Sequence, residues 1–332
     1  MIDRAKFRQL VESPEILVMP GAYDALSAKL VEASGFPVAY MTGYGQSASK
    51  LGAPDVGLMT MSEMAERAKD MCAAVSIPVI CDGDTGFGNV VNLVRTVREY
   101  ERAGAAAIQI LPTSMYRYMV DYFGDASRVV DAQEMVNKIQ AACAARHDPD
   151  FLIIARTDAR TNHGVEEAIR RATLYEQAGA DIIFVESLES AEEMRLVNQA
   201  VTKPTIANMV EGGRSPYLSA GELQALGYRL VVFPVLTLYA AMASVLDVLS
   251  ELKDKGTVDL TSGKMVNFTQ FNELIGLPQE RRLEENDFSV LPRSGLSLVE
   301  SPLRDQPKKP TRRDWFLKST ESGKHLEKRE ES

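Results

Sequence analysis

Two aspartates separated by one residue, Asp82 and Asp84, open the run Asp82-Gly83-Asp84-Thr85-Gly86-Phe87-Gly88-Asn89, directly after the apolar stretch Pro78–Cys81. Glycines at this spacing allow close backbone approach, so both carboxylates can converge on one hard cation. Magnesium suits such a pair, because it accepts one or two protein carboxylates and keeps waters for substrate oxygens to displace. The three histidines, His147, His163 and His325, are too dispersed to make a zinc cluster. An isolated Asp-Gly-Asp is as a rule a solvated turn. At the end of a buried barrel strand, metal binding becomes the better reading.

Other chemistry-bearing residues follow similar apolar runs. Thr42-Gly43-Tyr44 offers backbone amides and a hydroxyl to an anion. Arg156, at the exit of Phe151–Ala155, presents a planar fork that matches a substrate carboxylate; the structural alternative is an ion pair with Glu186 or Asp158. Glu186 and Asn208 end two further runs, as pocket groups or as internal hydrogen-bond partners.

The elements that must position these residues are legible as eight short aliphatic runs: Ile16–Met19, Val38–Thr42, Pro78–Cys81, Ala107–Ile110, Phe151–Ala155, Ile182–Val185, Pro204–Ala207 and Leu230–Phe233. They alternate with stretches of helical period, the pattern of parallel strands joined by crossover helices. Gly35, Gly104, Gly179 and Gly227 each precede a run and read as helix C-caps. The phosphate-binding glycine fingerprint of a doubly wound sheet is missing after the first run, so the expected fold is a (β/α)8 TIM barrel. Extra C-terminal helices are expected over Thr237–Leu252 and Phe268–Ile275. The barrel with these helices is assigned to residues 1–287, and residues 288–332 to a polar, disordered tail with one apolar island, Trp315-Phe316-Leu317.

Composition narrows the function classes. With 45% hydrophobic and 25% charged residues in 332, the chain has apolar surface for a large core. A net charge of -9 disfavours nucleic acid and anionic membranes as partners. Cys72, Cys81 and Cys143 show no metal-ligand spacing, so no disulfide and a reducing compartment are expected. No run approaches the roughly 18 apolar residues of a membrane span, and the expected location is cytoplasmic.

Taken together, Met19-Pro20-Gly21-Ala22-Tyr23-Asp24-Ala25, Leu51-Gly52-Ala53-Pro54-Asp55, Cys81–Asn89 and Ala155-Arg156-Thr157-Asp158-Ala159 resemble the isocitrate lyase/phosphoenolpyruvate mutase superfamily. The resemblance implies a Mg2+-dependent enzyme acting on a 2-oxo or 2-hydroxy carboxylate. By position, Asp55, Asp82 and Asp84 match its metal-site acids, with Asp82 and Asp84 nearest the ion. Thr42, Gly43 and Tyr44 match its substrate loop, Arg156 its carboxylate-binding arginine, and Glu186 and Asn208 its pocket residues. Two departures stand out. Leu111-Pro112-Thr113 replaces the Glu-Asp after the fourth strand, and Ser114–Phe123 replaces the lyases' Lys-Lys/Arg-Cys-Gly-His gate, whose cysteine protonates the enolate product. Tyr116, on that loop, therefore joins Arg156 and Asp55 as a catalytic candidate. The implied reaction is carbon–carbon cleavage of a substituted malate-like or 2-oxo dicarboxylate through an enolate. The alternatives are a cysteine-independent decarboxylase, hydrolase or phosphonate-type transferase, or a non-catalytic barrel that binds small acids. The resemblance also implies a homo-oligomer, a helix-swapped dimer or tetramer.

Overall fold

The computed structural model describes residues 4–111 and 129–285. Tyr116, with the rest of the loop expected to close the site, and the C-terminal tail lie outside the described residues. Eight parallel strands, β1 (Leu17–Ala22), β2 (Ala39–Met41), β3 (Val79–Asp82), β4 (Ala107–Ile110), β5 (Leu152–Thr157), β6 (Ile182–Val185), β7 (Thr205–Asn208) and β8 (Leu230–Phe233), pair in sequence order. β8 returns to β1, with Leu17 opposite Leu230, and closes the barrel. This is the (β/α)8 barrel expected from the eight apolar runs.

Side chains alternate between two cores, as the two-residue period of a strand requires. Met19, Tyr40, Ile80, Ile154 and Phe184 fill the interior, while Met41, Cys81, Ile108, Ile153 and Ile183 face the helical layer. Helix α1 (Arg4–Glu12) inserts Phe7 and Val11 into the interior core. Its Arg8 pairs with Asp150, just ahead of β5, at 2.7 Å, which places α1 at the N-terminal floor. Chemistry is thereby left to the opposite, C-terminal mouth.

Around the barrel run α2 (Ala25–Ala33), α3 (Gly43–Leu51), α4 (Met61–Ala74), α5 (Val90–Ala103), α6 (Ala132–Ala145), α7 (Ala159–Gln177), α8 (Ala191–Ala200) and α9 (Ala220–Ala225). Gly35, Gly104, Gly179 and Gly227 have φ of 84°, 96°, 106° and 102°, the left-handed conformation that ends a helix and turns the chain into the next strand. Four strands run further than the apolar pattern indicates: β3 and β7 by one residue, to Asp82 and Asn208, and two others by more. β1 reaches Ala22, and β5 reaches Thr157, so Arg156 is within a strand rather than beyond it. Its backbone pairs with Phe184 of β6, and neighbouring carboxylates neutralise its side chain. Thr42, by contrast, falls outside β2 and caps α3.

After β8 come α10 (Leu236–Lys255), α11 (Phe268–Leu274) and α12 (Leu277–Glu284). The 20 residues of α10 include none that is buried within the single chain. One compact unit runs through Pro278, and a second begins at Gln279, whose described residues are helical to Glu284. Among the described residues no helix is long and apolar enough to cross a membrane.

Candidate active site

The Asp82–Gly86 turn is held at every carbonyl. Asp82 is the last residue of β3, and its main-chain oxygen accepts from the Tyr100 hydroxyl at 3.1 Å. The Gly83 carbonyl accepts from Gly86 N–H at 3.0 Å, and that of Asp84 from Leu111 N–H at 2.8 Å. The Thr85 carbonyl accepts from Lys138 Nζ at 3.2 Å, and that of Gly86 from Thr96 Oγ1 at 3.1 Å. A Cβ on Gly83 would lie 2.6 Å from the Ile108 side chain and 2.8 Å from the Gln109 carbonyl, so only glycine lets the turn lie against β4. Asp84 takes a left-handed φ of 49°. Its N–H donates to Asp82 Oδ1 at 2.9 Å, and its own Oδ1 accepts from Thr85 N–H at 2.7 Å.

Beside this turn is a cavity of about 10 Å³, the space of one water or ion, lined by Gly43, Ser47, Asp55, Gly57, Asp82 and Asp84 with two methionine side chains. A larger recess of about 370 Å³ opens where Asp84 and Thr85 meet Thr60, Phe87 and Arg95. Among the described residues no three His, Cys, Asp or Glu side chains group closely enough to hold a metal by themselves. Two adjacent carboxylates with room for water nevertheless fit Mg2+, which needs no all-protein cage. Asp82 and Asp84 are the residues that can hold it.

Arg156, Glu186 and Asn208 form one connected wall. Arg156 Nε and NH2 donate to Asp158 Oδ1 at 3.0 and 2.6 Å, and NH1 pairs with Glu186 Oε2 at 3.1 Å. The guanidinium also lies 5.1 Å from the Phe184 ring centroid. Both structural partners expected for Arg156 are therefore real, and together they do not use all five of its N–H donors. Burial works against its charge, but Asp158, Glu186 and the more distant Asp82 outweigh burial and raise its pKa. Asn208 Nδ2 donates to the same Glu186 Oε2 at 3.1 Å, which turns its buried Oδ1 the other way. That oxygen has no hydrogen-bond partner among the described residues. As an amide oxygen it can accept a hydrogen bond from a hydroxyl or water.

The substrate-loop candidates sit at the start of α3. Thr42 caps the helix without a side-chain cap bond, so its hydroxyl is not spent on the helix end. Gly43 lines the small cavity, and the Tyr44 ring meets Tyr239 of α10 edge-on, with centroids 6.4 Å apart.

The phosphoenolpyruvate phosphomutase family model matches residues 7–253. The chain belongs to the phosphoenolpyruvate phosphomutase family. Among relatives, it is 49% identical over 286 residues to a 2,3-dimethylmalate lyase of Eubacterium barkeri, spanning 86% of this chain and 98% of that one. Among solved structures, an oxaloacetate acetylhydrolase complexed with oxalate superposes with a TM-score of 0.79 at 32% identity, over 85% of this chain and 97% of that one. A phosphonopyruvate hydrolase complexed with oxalate and Mg2+ superposes with a TM-score of 0.77 at 31% identity, over 86% of this chain and 99% of that one.

For this member of the phosphoenolpyruvate phosphomutase family, the departure at Leu111 has a definite place: its side chain is fully buried and its N–H braces Asp84. The backbone role at the turn is kept while no carboxylate is supplied. Three residues escaped the sequence reading, namely Tyr100, Thr96 and Lys138, all behind the turn. Lys138 carried a signal, because it shares the buried α6 stripe of Met135, Ile139 and Ala142, where a lysine needs a reason.

Proposed function

We propose that this enzyme cleaves a carbon–carbon bond of a substituted malate. The observation that carries this is the Arg156–Glu186–Asn208 wall, which supplies a buried cation for a carboxylate and, at Asn208 Oδ1, an acceptor without a partner among the described residues for a hydroxyl or bound water. The 2,3-dimethylmalate lyase likeness supports the substrate class. In the proposed reaction the 2-hydroxyl loses its proton and the adjacent carbon–carbon bond breaks, leaving a 2-oxo acid. The bonding pair departs with the second carboxylate fragment as an enolate, which then takes up a proton. Arg156 orients a substrate carboxylate, Thr42, Gly43 and Tyr44 bind the oxygens at its other end, and Asp55 accepts the hydroxyl proton. Tyr116, outside the described residues, is the proposed proton donor to the enolate. Mg2+ at Asp82 and Asp84 would polarise the substrate oxygens.

The test is release of 2-oxo acid from a panel of 2-hydroxy and 2-oxo diacids, with and without EDTA. Turnover of substituted malates that disappears in EDTA is expected. Oxalate release from oxaloacetate, with no turnover of malates, would favour the hydrolase reading, for which Leu111 and the cysteine-free Ser114–Phe123 segment speak. Ligand binding that persists in EDTA, with no product from any diacid, would mark a non-catalytic barrel. The proposal extends to location and assembly. All three cysteines are unpaired, which suits the cytoplasm. The uncovered α10 suits packing against a second copy in a helix-swapped dimer or tetramer.

A further inference from the structure

We infer that Lys138 is a positioning residue for the divalent-cation turn, fixing the conformation of Asp84 through the Thr85 carbonyl. The inference rests on the assignment of Asp82 and Asp84 to Mg2+. Lys138 lies on the packed face of α6 and is 3% exposed, a place where methionine or leucine would pack without desolvating an ammonium. Its ion pair does not explain the choice, because Glu134 is 3.9 Å away with a side chain 53% exposed. What Lys138 does reach is the turn, donating to the Thr85 carbonyl at 3.2 Å across 53 positions of sequence.

Thr85 is thus pinned at both ends, its N–H by Asp84 Oδ1 and its carbonyl by Lys138. The peptides on either side of Thr85 are each tied by one of these bonds, and between them and the Leu111 N–H on its carbonyl Asp84 is held in its left-handed conformation with one carboxylate oxygen turned back onto the chain. Without the ammonium, the Thr85 carbonyl would be left buried and unpaired, and the turn would relax to satisfy it. Asp84 would then lose the preset geometry for its cation. Outer partners of this kind typically govern metal affinity over about 10- to 100-fold. The charge of Lys138 acts in the opposite direction, since it disfavours a second cation near Asp84. The two effects predict opposite signs, so the experiment separates them.

Mg2+ binding by isothermal titration calorimetry, and the Mg2+ dependence of turnover, are to be compared for wild type, K138M, K138Q and K138R. K138M is expected to weaken Mg2+ binding about 10- to 100-fold. Its kcat should recover at saturating Mg2+, and its melting temperature in EDTA should stay near that of wild type. K138R, which keeps a cationic donor, should hold affinity within about tenfold of wild type, short of the loss that removal of such a partner causes. Should K138M not fold, K138Q against K138R carries the same comparison. Equal or tighter Mg2+ binding by K138M, with wild type binding normally, overturns the positioning role alone. No Mg2+ binding by wild type overturns the metal assignment and this inference with it.

Discussion

Arg156 has one role that the structure shows and a second that is proposed. It neutralises Asp158 and Glu186 inside the barrel, and its remaining N–H donors are those proposed to meet a substrate carboxylate. Removing its charge leaves two buried carboxylates without their counter-ion, a loss of about 3–5 kcal/mol for such pairs. Arg156→Met is therefore expected to destabilise the fold by that order in urea denaturation. Arg156→Lys keeps the charge but loses the fork, and should raise KM for the diacid roughly tenfold with a smaller drop in melting temperature. Asp84 is tested more cleanly by Asn than by Ala, because Asn tolerates a left-handed φ and its amide oxygen can still accept from Thr85. Asp84→Asn should lower kcat/KM on the order of 10³-fold, since losing a Lewis acid forfeits several kcal/mol. Circular dichroism should be unchanged. A wild-type rate in the purified variant would exclude Asp84 from the metal site.

At the level of elements, α7 and α10 show opposite ways of using a helix surface. On α7, Glu167 accepts from Arg170 at 2.7 and 2.8 Å and from Arg171 at 2.8 Å. Arg170, then Arg171, holds the Glu167 carboxyl down at about 2, against partial burial that would raise it. A folded-state pKa below the unfolded one adds stability that is fully present above the unfolded value of 4.5 and lost as pH falls through about 2. Glu167→Gln should therefore cost up to about 1 kcal/mol at pH 7, the scale of a surface pair. The difference between variant and wild type in denaturant titrations should vanish near pH 2. On α10 the surface is instead apolar: Met242, Val245, Leu246 and Leu249 are 62%, 54%, 56% and 53% exposed. Met242, Val245, Leu246 and Leu249, at helical spacing, make one apolar patch on this helix, the kind of surface that marks an interaction site.

At the scale of the whole molecule, a second copy of the chain is the proposed cover for that patch. Wild type should give an oligomeric mass by light scattering, and Leu246→Glu should shift it toward the monomer with a lower melting temperature. A monomeric wild type would refute the assembly. The polar tail has no part in this expectation. Truncation after Pro292 should leave both mass and melting temperature in place, and dissociation on truncation would show that Trp315-Phe316-Leu317 docks on the assembly.

Much of this protein was decided locally and was therefore legible in the chain. The eight strands follow from runs of aliphatic residues buried on both sides, and the ends of four helices follow from glycines that alone enter the left-handed region cheaply. α10 was legible from its period, Thr237–Leu252 against the observed Leu236–Lys255. Asp82 and Asp84 were legible because their neighbours in sequence are also their neighbours in space. Long-range pairing decided the rest. Arg156 could be read as a ligand for substrate or as an ion-pair partner, and only the closing of β5 against β6 brings Glu186 to it while Asp158 folds back on the other side. The Asn208 oxygen is left without a partner among the described residues because its amide nitrogen is turned to Glu186. Lys138 and Thr85 are 53 residues apart, and no local pattern links an amine on one helix to a carbonyl in a turn between two other elements. Hydrogen bonds act over about 3 Å, so which distant groups meet is settled by the packing of α5 and α6 on the barrel rather than by the sequence around either group.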